Sequence, residues 1–197
     1  MLLFLDVDGP LIPFGAGPYR LYDGPSAAVG EHPLLNRVDP ALGHRLAALG
    51  CELVWATTWM DEANTCLAPL LGLPRLPVVP WPDAPEPPGR LHWKTRPLVA
   101  WAAGRPFIWL DDEITAPDRT WTAVHHPGPA LLHRVDHRHG LTEADFGAVE
   151  EWLAGVGCRT RVAGAPRRGA GNCPSDRRPG RREGVAVRGE CPRPASG

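Results

Sequence analysis

The chain of 197 residues has a single lysine, Lys94; every other strongly basic side chain is arginine. An ammonium is a compact point charge and a guanidinium a planar fork, so a lone lysine among arginines marks a position to follow. The five cysteines, Cys51, Cys66, Cys158, Cys173 and Cys191, are odd in number and widely spaced. The absence of any C-x-x-C pair excludes a zinc knuckle, and the spacing gives no disulfide framework. Reduced thiols are the default. No run of 18 or more apolar residues exists, which excludes a membrane-spanning helix. The N-terminus lacks a basic segment and its apolar run is too short for a signal peptide. A soluble cytoplasmic protein without a membrane partner is expected.

A large net charge is also lacking, at −1, but this balance conceals two halves. Residues 1–158 hold 11 Lys/Arg against 19 Asp/Glu, a net −8, and residues 159–197 hold 10 Arg against 3 acids, a net +7. The second segment is rich in Arg, Gly and Pro and poor in large apolar residues. It cannot bury enough surface to offset its chain entropy. The expected organisation is a folded domain over 1–157 and a disordered tail over 158–197. A basic tail suits nucleic acid or an acidic surface; a solvated tail with no partner is the plainer expectation.

What the chain does have is concentrated in its first ten residues, Met-Leu-Leu-Phe-Leu-Asp-Val-Asp-Gly-Pro. Leu2 to Leu5 has the length and character of a buried strand. It runs into Asp6 and Asp8, and then Gly9 and Pro10 stop it. Two acids this close repel each other, and a divalent cation is the usual compensation. Leu53 to Ala56 is a second apolar strand, ending at Thr57 and Thr58. Phe107 to Leu110 is a third, ending at Asp111 and Asp112. Ala130 to Val135 reads as a fourth.

Helices are expected between these strands. One opens at Asp39-Pro40 and stops at Gly50, one spans about Met60 to Leu71, and one spans Lys94 to Ala103. Another opens at the Thr142-x-x-Asp145 box and runs to about Leu153. Residues 10–38 read as an irregular excursion with a short hairpin arm at Tyr19–Tyr22, and Pro77–Trp81 as an edge strand. Buried strands alternating with helices imply an α/β fold, a parallel sheet covered on both faces. Ligands in such folds sit at the carboxyl ends of the strands, where the two acid pairs and the threonine pair fall.

A phosphate monoester arriving at that edge meets carboxylates of its own sign, so a magnesium ion is needed between them. One carboxylate can then attack phosphorus, and a second can protonate the leaving oxygen. A threonine near a helix start can bind the phosphate oxygens, and Lys94 can neutralise phosphate and nucleophile together.

Asp6-Val-Asp8-Gly9, Thr57, Lys94 and Asp111-Asp112, in this order, resemble motifs I to IV of the haloacid dehalogenase-like (HAD) superfamily over about residues 1–155. The Leu-Asp-Val-Asp-Gly-Pro start and the Leu-Val-Trp-Ala-Thr-Thr-Trp segment are also similar to HAD domains associated with RNA-repair proteins. The resemblance implies a three-layer Rossmann-like fold and Mg2+. It implies Asp6 as nucleophile and metal ligand, and Asp8 as general acid/base with its carbonyl on the metal. It implies Thr57 as phosphate binder, with Gly9 and Thr58 beside it, and Lys94 as charge clamp. Asp111 or Asp112 would be the remaining metal ligand, Asp112 being favoured for direct contact and Asp111 for support. The second acid of the first motif argues for phosphoryl transfer rather than dehalogenation. The short intervals between motifs leave no room for a large cap domain, and a capless site suits a large substrate.

The expected function is thus magnesium-dependent hydrolysis of a phosphate monoester, on a phosphorylated substrate such as a nucleotide or nucleic-acid end. The alternative is a non-catalytic HAD-fold binding module for nucleic acid or protein. Of the eight tryptophans, Trp55 and Trp109 lie in buried strands and read as core. Trp59 and Trp93 flank site residues and are candidates for the pocket mouth. The late histidines, His125, His126, His133, His137 and His139, show no i, i+4 pair with an acid of the kind a zinc helix carries, apart from accidental spacings.

Overall fold

Leu2–Leu5 is wholly buried, and its alternate side chains serve two separate cores. Leu3 and Leu5 pack into one apolar cluster, Leu2 and Phe4 into another on the opposite side. This is what the two-residue period of a strand requires when both faces of its sheet are covered. The computed structural model describes residues 1–22, 32–82 and 89–163. The expected tail lies outside these residues apart from its first few positions. Those belong to a helix that runs to Ala163, where the sequence suggested an end near Leu153.

The sheet is built from β1 (Leu2–Leu5), β2 (Glu52–Trp55), β3 (Phe107–Asp111) and β4 (Ala130–Arg134), all parallel, in the order β2-β1-β3-β4. Helices cover both faces. On the first lie α1 (Ala41–Ala48) with Leu46, a π-helical stretch (Ala63–Leu67) running into α2 (Ala68–Leu70), and α5 (Glu143–Ala163) with Phe146 and Val149. The second core is closed by Leu98 and Ala102 of α3 (Thr95–Ala102) and by Ile114, just before α4 (Ala116–His125). The architecture is the three-layer, Rossmann-like α/β fold, and no cap domain stands among the described residues.

Local chemistry explains the element boundaries. Asp39 Oδ1 accepts the Ala41 N–H at 2.9 Å and so caps α1. Gly43 lets α1 approach the end of α2: a Cβ there would lie 1.8 Å from the Leu71 carbonyl oxygen. Thr142 donates its N–H and its hydroxyl to Asp145 Oδ2, at 2.8 and 2.5 Å, opening α5. Helix α4 has a full capping box between Thr115 and Asp118, with proline in its first turn.

Three local expectations differ from the structure. The 60–71 segment takes π geometry through its first half. Its buried Asn64 bonds Trp55 Nε1 (3.0 Å) and both backbone groups of Leu76 (2.8 and 2.9 Å), tying this stretch to β2 and the following loop. The Pro77–Trp81 edge strand is reduced to one bridge, Val78 against Trp55. Among the described residues Tyr19–Tyr22 forms no hairpin. Tyr22 instead donates its N–H to the Asn36 carbonyl (2.7 Å) and its hydroxyl to Asp39 Oδ2 (2.9 Å).

Candidate active site

The strand order turns back on itself at β1: one connection leads outward to β2, and the next strand, β3, joins on the other side. This is the position where an open α/β sheet splits its loops and leaves a crevice at the strands' carboxyl ends. Asp6 follows β1 there, its N–H donating to the Leu110 carbonyl of β3 at 3.1 Å. Asp111 ends β3 and Asp112 follows it. The Ala56 N–H donates to the Leu5 carbonyl at 2.9 Å, which brings the exit of β2, and Thr57 with it, alongside Asp6.

The backbone turns sharply after Val7. Its carbonyl accepts N–H groups from both Leu11 and Ile12 at 3.0 Å, and Gly9 N–H donates to the Ile12 carbonyl at 3.0 Å. The strand's alternation has therefore ended before Asp8, which points to Trp59: the indole Nε1 donates to Asp8 Oδ2 at 3.1 Å. Gly9 adopts φ +86° and lies against Asp112; an added Cβ would sit 2.6 Å from Asp112 Cγ. Only glycine combines that φ with that approach.

Lys94 arrives from the far side of the sequence at the start of α3. Its ammonium donates to Asp6 Oδ2 at 2.6 Å and to Asp111 Oδ2 at 2.9 Å, and all three side chains are buried. Burial alone would lower the Lys94 pKa, but the two carboxylates outweigh it and raise it above the ordinary lysine value. Burial raises the Asp6 pKa to about 7. The Lys94 charge works against that rise, and Asp111 works with it. Burial and the neighbouring Asp111 charge raise Asp112 as well.

Asp111 accepts three hydrogen bonds. Besides Lys94, it accepts from Trp109 Nε1 at 3.2 Å and from Glu113 N–H at 2.8 Å. The Asp112 carboxylate accepts no hydrogen bond from another described residue; His137 Nδ1 lies 4.0 Å away. Asp6, Asp111 and Asp112 each place an oxygen within 4.8 Å of the others. Three clustered carboxylates against one ammonium leave an excess of negative charge. An oxygen-only donor set with this excess fits a hard divalent cation such as Mg2+. A second cluster of possible ligands, His92, Asp111 and Glu113, shares Asp111 with the first. His92 Nδ1 accepts the Lys94 N–H at 3.2 Å, so the ring proton sits on Nε2, where it meets Glu113 Oε2 at 2.8 Å. That nitrogen is a donor here and not a metal ligand.

Thr57 is fully buried; its Oγ1 accepts the Trp59 N–H at 3.3 Å, which leaves the hydroxyl proton free to donate. Thr58 has its side chain exposed and joins none of the described hydrogen bonds. The structure thus brings Asp6, Lys94, Asp111 and Asp112 into contact range, sets Gly9 against Asp112, and places Thr57 and Asp8 at the neighbouring loop.

Sequence reading missed Asp118. This fully buried carboxylate accepts from His92 N–H and Thr95 Oγ1, both at 2.7 Å, on either side of Lys94. It also accepts from Thr115 N–H at 2.8 Å and Thr115 Oγ1 at 2.5 Å. Burial pushes its pKa up, but these donors outweigh that and hold it below the usual value. The Thr115-Ala-Pro-Asp118 capping signature was present in the sequence, but no helix is expected there in the reading above, so both α4 and its buried cap went unseen.

One protein family, described as the HAD domain in Swiss Army Knife RNA repair proteins, matches the chain over residues 2–146. No curated protein and no solved structure matches it.

Proposed function

The chain belongs to this family of HAD domains from RNA repair proteins, a hydrolase fold, and on that premise we propose that it is a magnesium-dependent phosphohydrolase acting on a phosphate monoester through an aspartyl-phosphate intermediate. The observation that carries the reading is the bridge of Lys94 between Asp6 and Asp111, with Asp112 free beside them.

In this reading Asp6, Asp112 and the Asp8 carbonyl would hold the magnesium ion, and Asp111 serves Lys94. Magnesium, when bound there, would neutralise the phosphate oxygens and keep the Asp6 carboxylate ionised. An Asp6 oxygen attacks phosphorus in line, and the ester P–O bond breaks. Asp8 gives its proton to the departing oxygen. It then takes a proton from water, which attacks the aspartyl phosphate, releases inorganic phosphate and restores Asp6. Lys94 holds Asp6 in place and offsets the charge that accumulates there. Thr57 donates its hydroxyl to a phosphate oxygen, with Gly9 and Thr58 lining the approach. The occurrence of the family in RNA repair proteins favours a nucleotide or nucleic-acid end as the phosphorylated partner.

The test is release of inorganic phosphate from a generic monoester with Mg2+, by the full chain and by Asp6→Asn. Activity that needs Mg2+ and disappears in the variant supports the reading. Equal activity in both would overturn the assignment of the nucleophile.

A further inference from the structure

Three indoles ring the crevice, and each touches a different residue of the reaction assigned above. Trp59 Nε1 bonds Asp8 at 3.1 Å, and Trp81 Nε1 bonds the Thr57 carbonyl at 2.9 Å. Trp93 precedes Lys94, whose ammonium lies 5.6 Å from the indole centroid. All three make ring contacts, Trp93 with His92 at 5.6 Å as well as with Trp81. His32 lies 4.7 Å from the Trp59 ring, and Trp81 meets Trp93 in a T-shaped contact at 4.8 Å. Trp93 is different: its Nε1 joins no hydrogen bond among the described residues, and it remains 37% exposed.

We infer that Trp93 is a stacking platform for a nucleobase, so that the substrate is a phosphate monoester carried one sugar away from a base, on a nucleotide or at the end of a nucleic-acid strand. The inference rests on the phosphohydrolase reading for the position of the phosphate. Its own argument is the placing of a partly exposed indole beside the ammonium that faces the nucleophile. A phosphate held near Asp6 and Lys94 puts its nearest sugar at the rim and the attached base against Trp93. Recognition of a sugar alone needs donors and acceptors for its hydroxyls, and the ring nitrogens of the neighbouring His92 and Trp81 are already used. His92 Nε2 is on Glu113, His92 Nδ1 on the Lys94 N–H, and Trp81 Nε1 on Thr57. Stacking needs only a π face and tolerates any base. The neighbouring ammonium adds attraction for the phosphate.

The experiment compares kcat/KM for uridine monophosphate and phosphate-ended tetrauridylate with that for ribose phosphate, which has no base. The full chain should prefer the base-bearing substrates. Trp93→Ala should cut that preference on the order of 10-fold, the equivalent of ~1.4 kcal/mol of stacking, and Trp93→Phe should keep most of it. Preference for the tetranucleotide over the mononucleotide would identify strand ends as the source. No preference in the full chain, or the same preference in Trp93→Ala, overturns the inference. Inactivity on every phosphate would count against the phosphohydrolase reading alone, because tryptophan fluorescence then gives a separate readout. Tetrauridylate should quench it in the full chain, with a smaller amplitude but similar affinity in Trp93→Phe. Quenching identical in both proteins, or none in either, overturns the inference by that route.

Discussion

In metal-free buffer the stability of this protein should fall as pH rises between about 4 and 7, and Asp6 should be responsible. Its pKa moves from 3.8 to about 7 because it is buried and faces Asp111, effects that Lys94 only partly offsets. Below about pH 4 the group is protonated both in the folded and in the unfolded chain. Its proton then stabilises the fold in full. As pH rises, the unfolded chain releases its proton first, and the stabilisation is lost until the folded group also ionises near pH 7. That rise in pKa corresponds to about 4 kcal/mol. For a domain of this size that is on the order of 10 °C in Tm. Scanning calorimetry in a chelator, across this range, measures it. Asp6→Asn keeps a carbonyl oxygen for the Lys94 ammonium but cannot ionise, so its profile should be flatter by this amount. Asp112 contributes with the same sign and remains in both proteins, so the difference between the two profiles isolates Asp6. Added Mg2+ should restore Tm most at the upper end of the range, and less in the variant. Superimposable profiles for the two proteins in chelator would refute the reasoning.

The parts of this architecture visible in the sequence share one trait: their information is local. β1, β2 and β3 announce themselves as apolar runs that stop at acids or threonines, because a strand buried on both faces turns polar only where it leaves the sheet. Whether Thr57 or Thr58 faces the crevice was open, since the turn after a strand suspends its alternation; burial of Thr57 and exposure of Thr58 follow from the path after Ala56. Strand order was not readable, because backbone ladders between β1, β2 and β3 leave no mark on side-chain type. The same holds for Asp118. Its bonds to His92 and Thr95 reach back 26 and 23 residues, and a buried carboxylate capping its own helix looks in sequence like any helix-start acid. The π-helical turn before α2 was hidden for a related reason: Asn64 is fixed by Trp55 and Leu76, which belong to other elements.

Two further perturbations separate the shape of the site from its chemistry. Gly9→Ala brings a Cβ to 2.6 Å from Asp112 Cγ at φ +86°; it should cost about 1–3 kcal/mol in denaturant unfolding and weaken Mg2+ binding by calorimetric titration, and unchanged affinity would show that Asp112 does not hold the ion. Asp118→Asn retains one carboxamide oxygen and places an amide where the lost oxygen stood. Whichever way that amide turns, its N–H group faces donors: the His92 N–H and Thr95 hydroxyl, or the two Thr115 donors. Two bonds to a charged acceptor vanish, at about 1–3 kcal/mol each. The flip that keeps the Thr115 bonds preserves the cap of α4 but releases the turn that carries Lys94, and the other does the reverse. Helix content by circular dichroism together with kcat distinguishes them: intact helicity with a much reduced kcat means that Asp118 acts through the lysine, whereas lost stability with normal kcat in the folded fraction would reduce it to a helix cap.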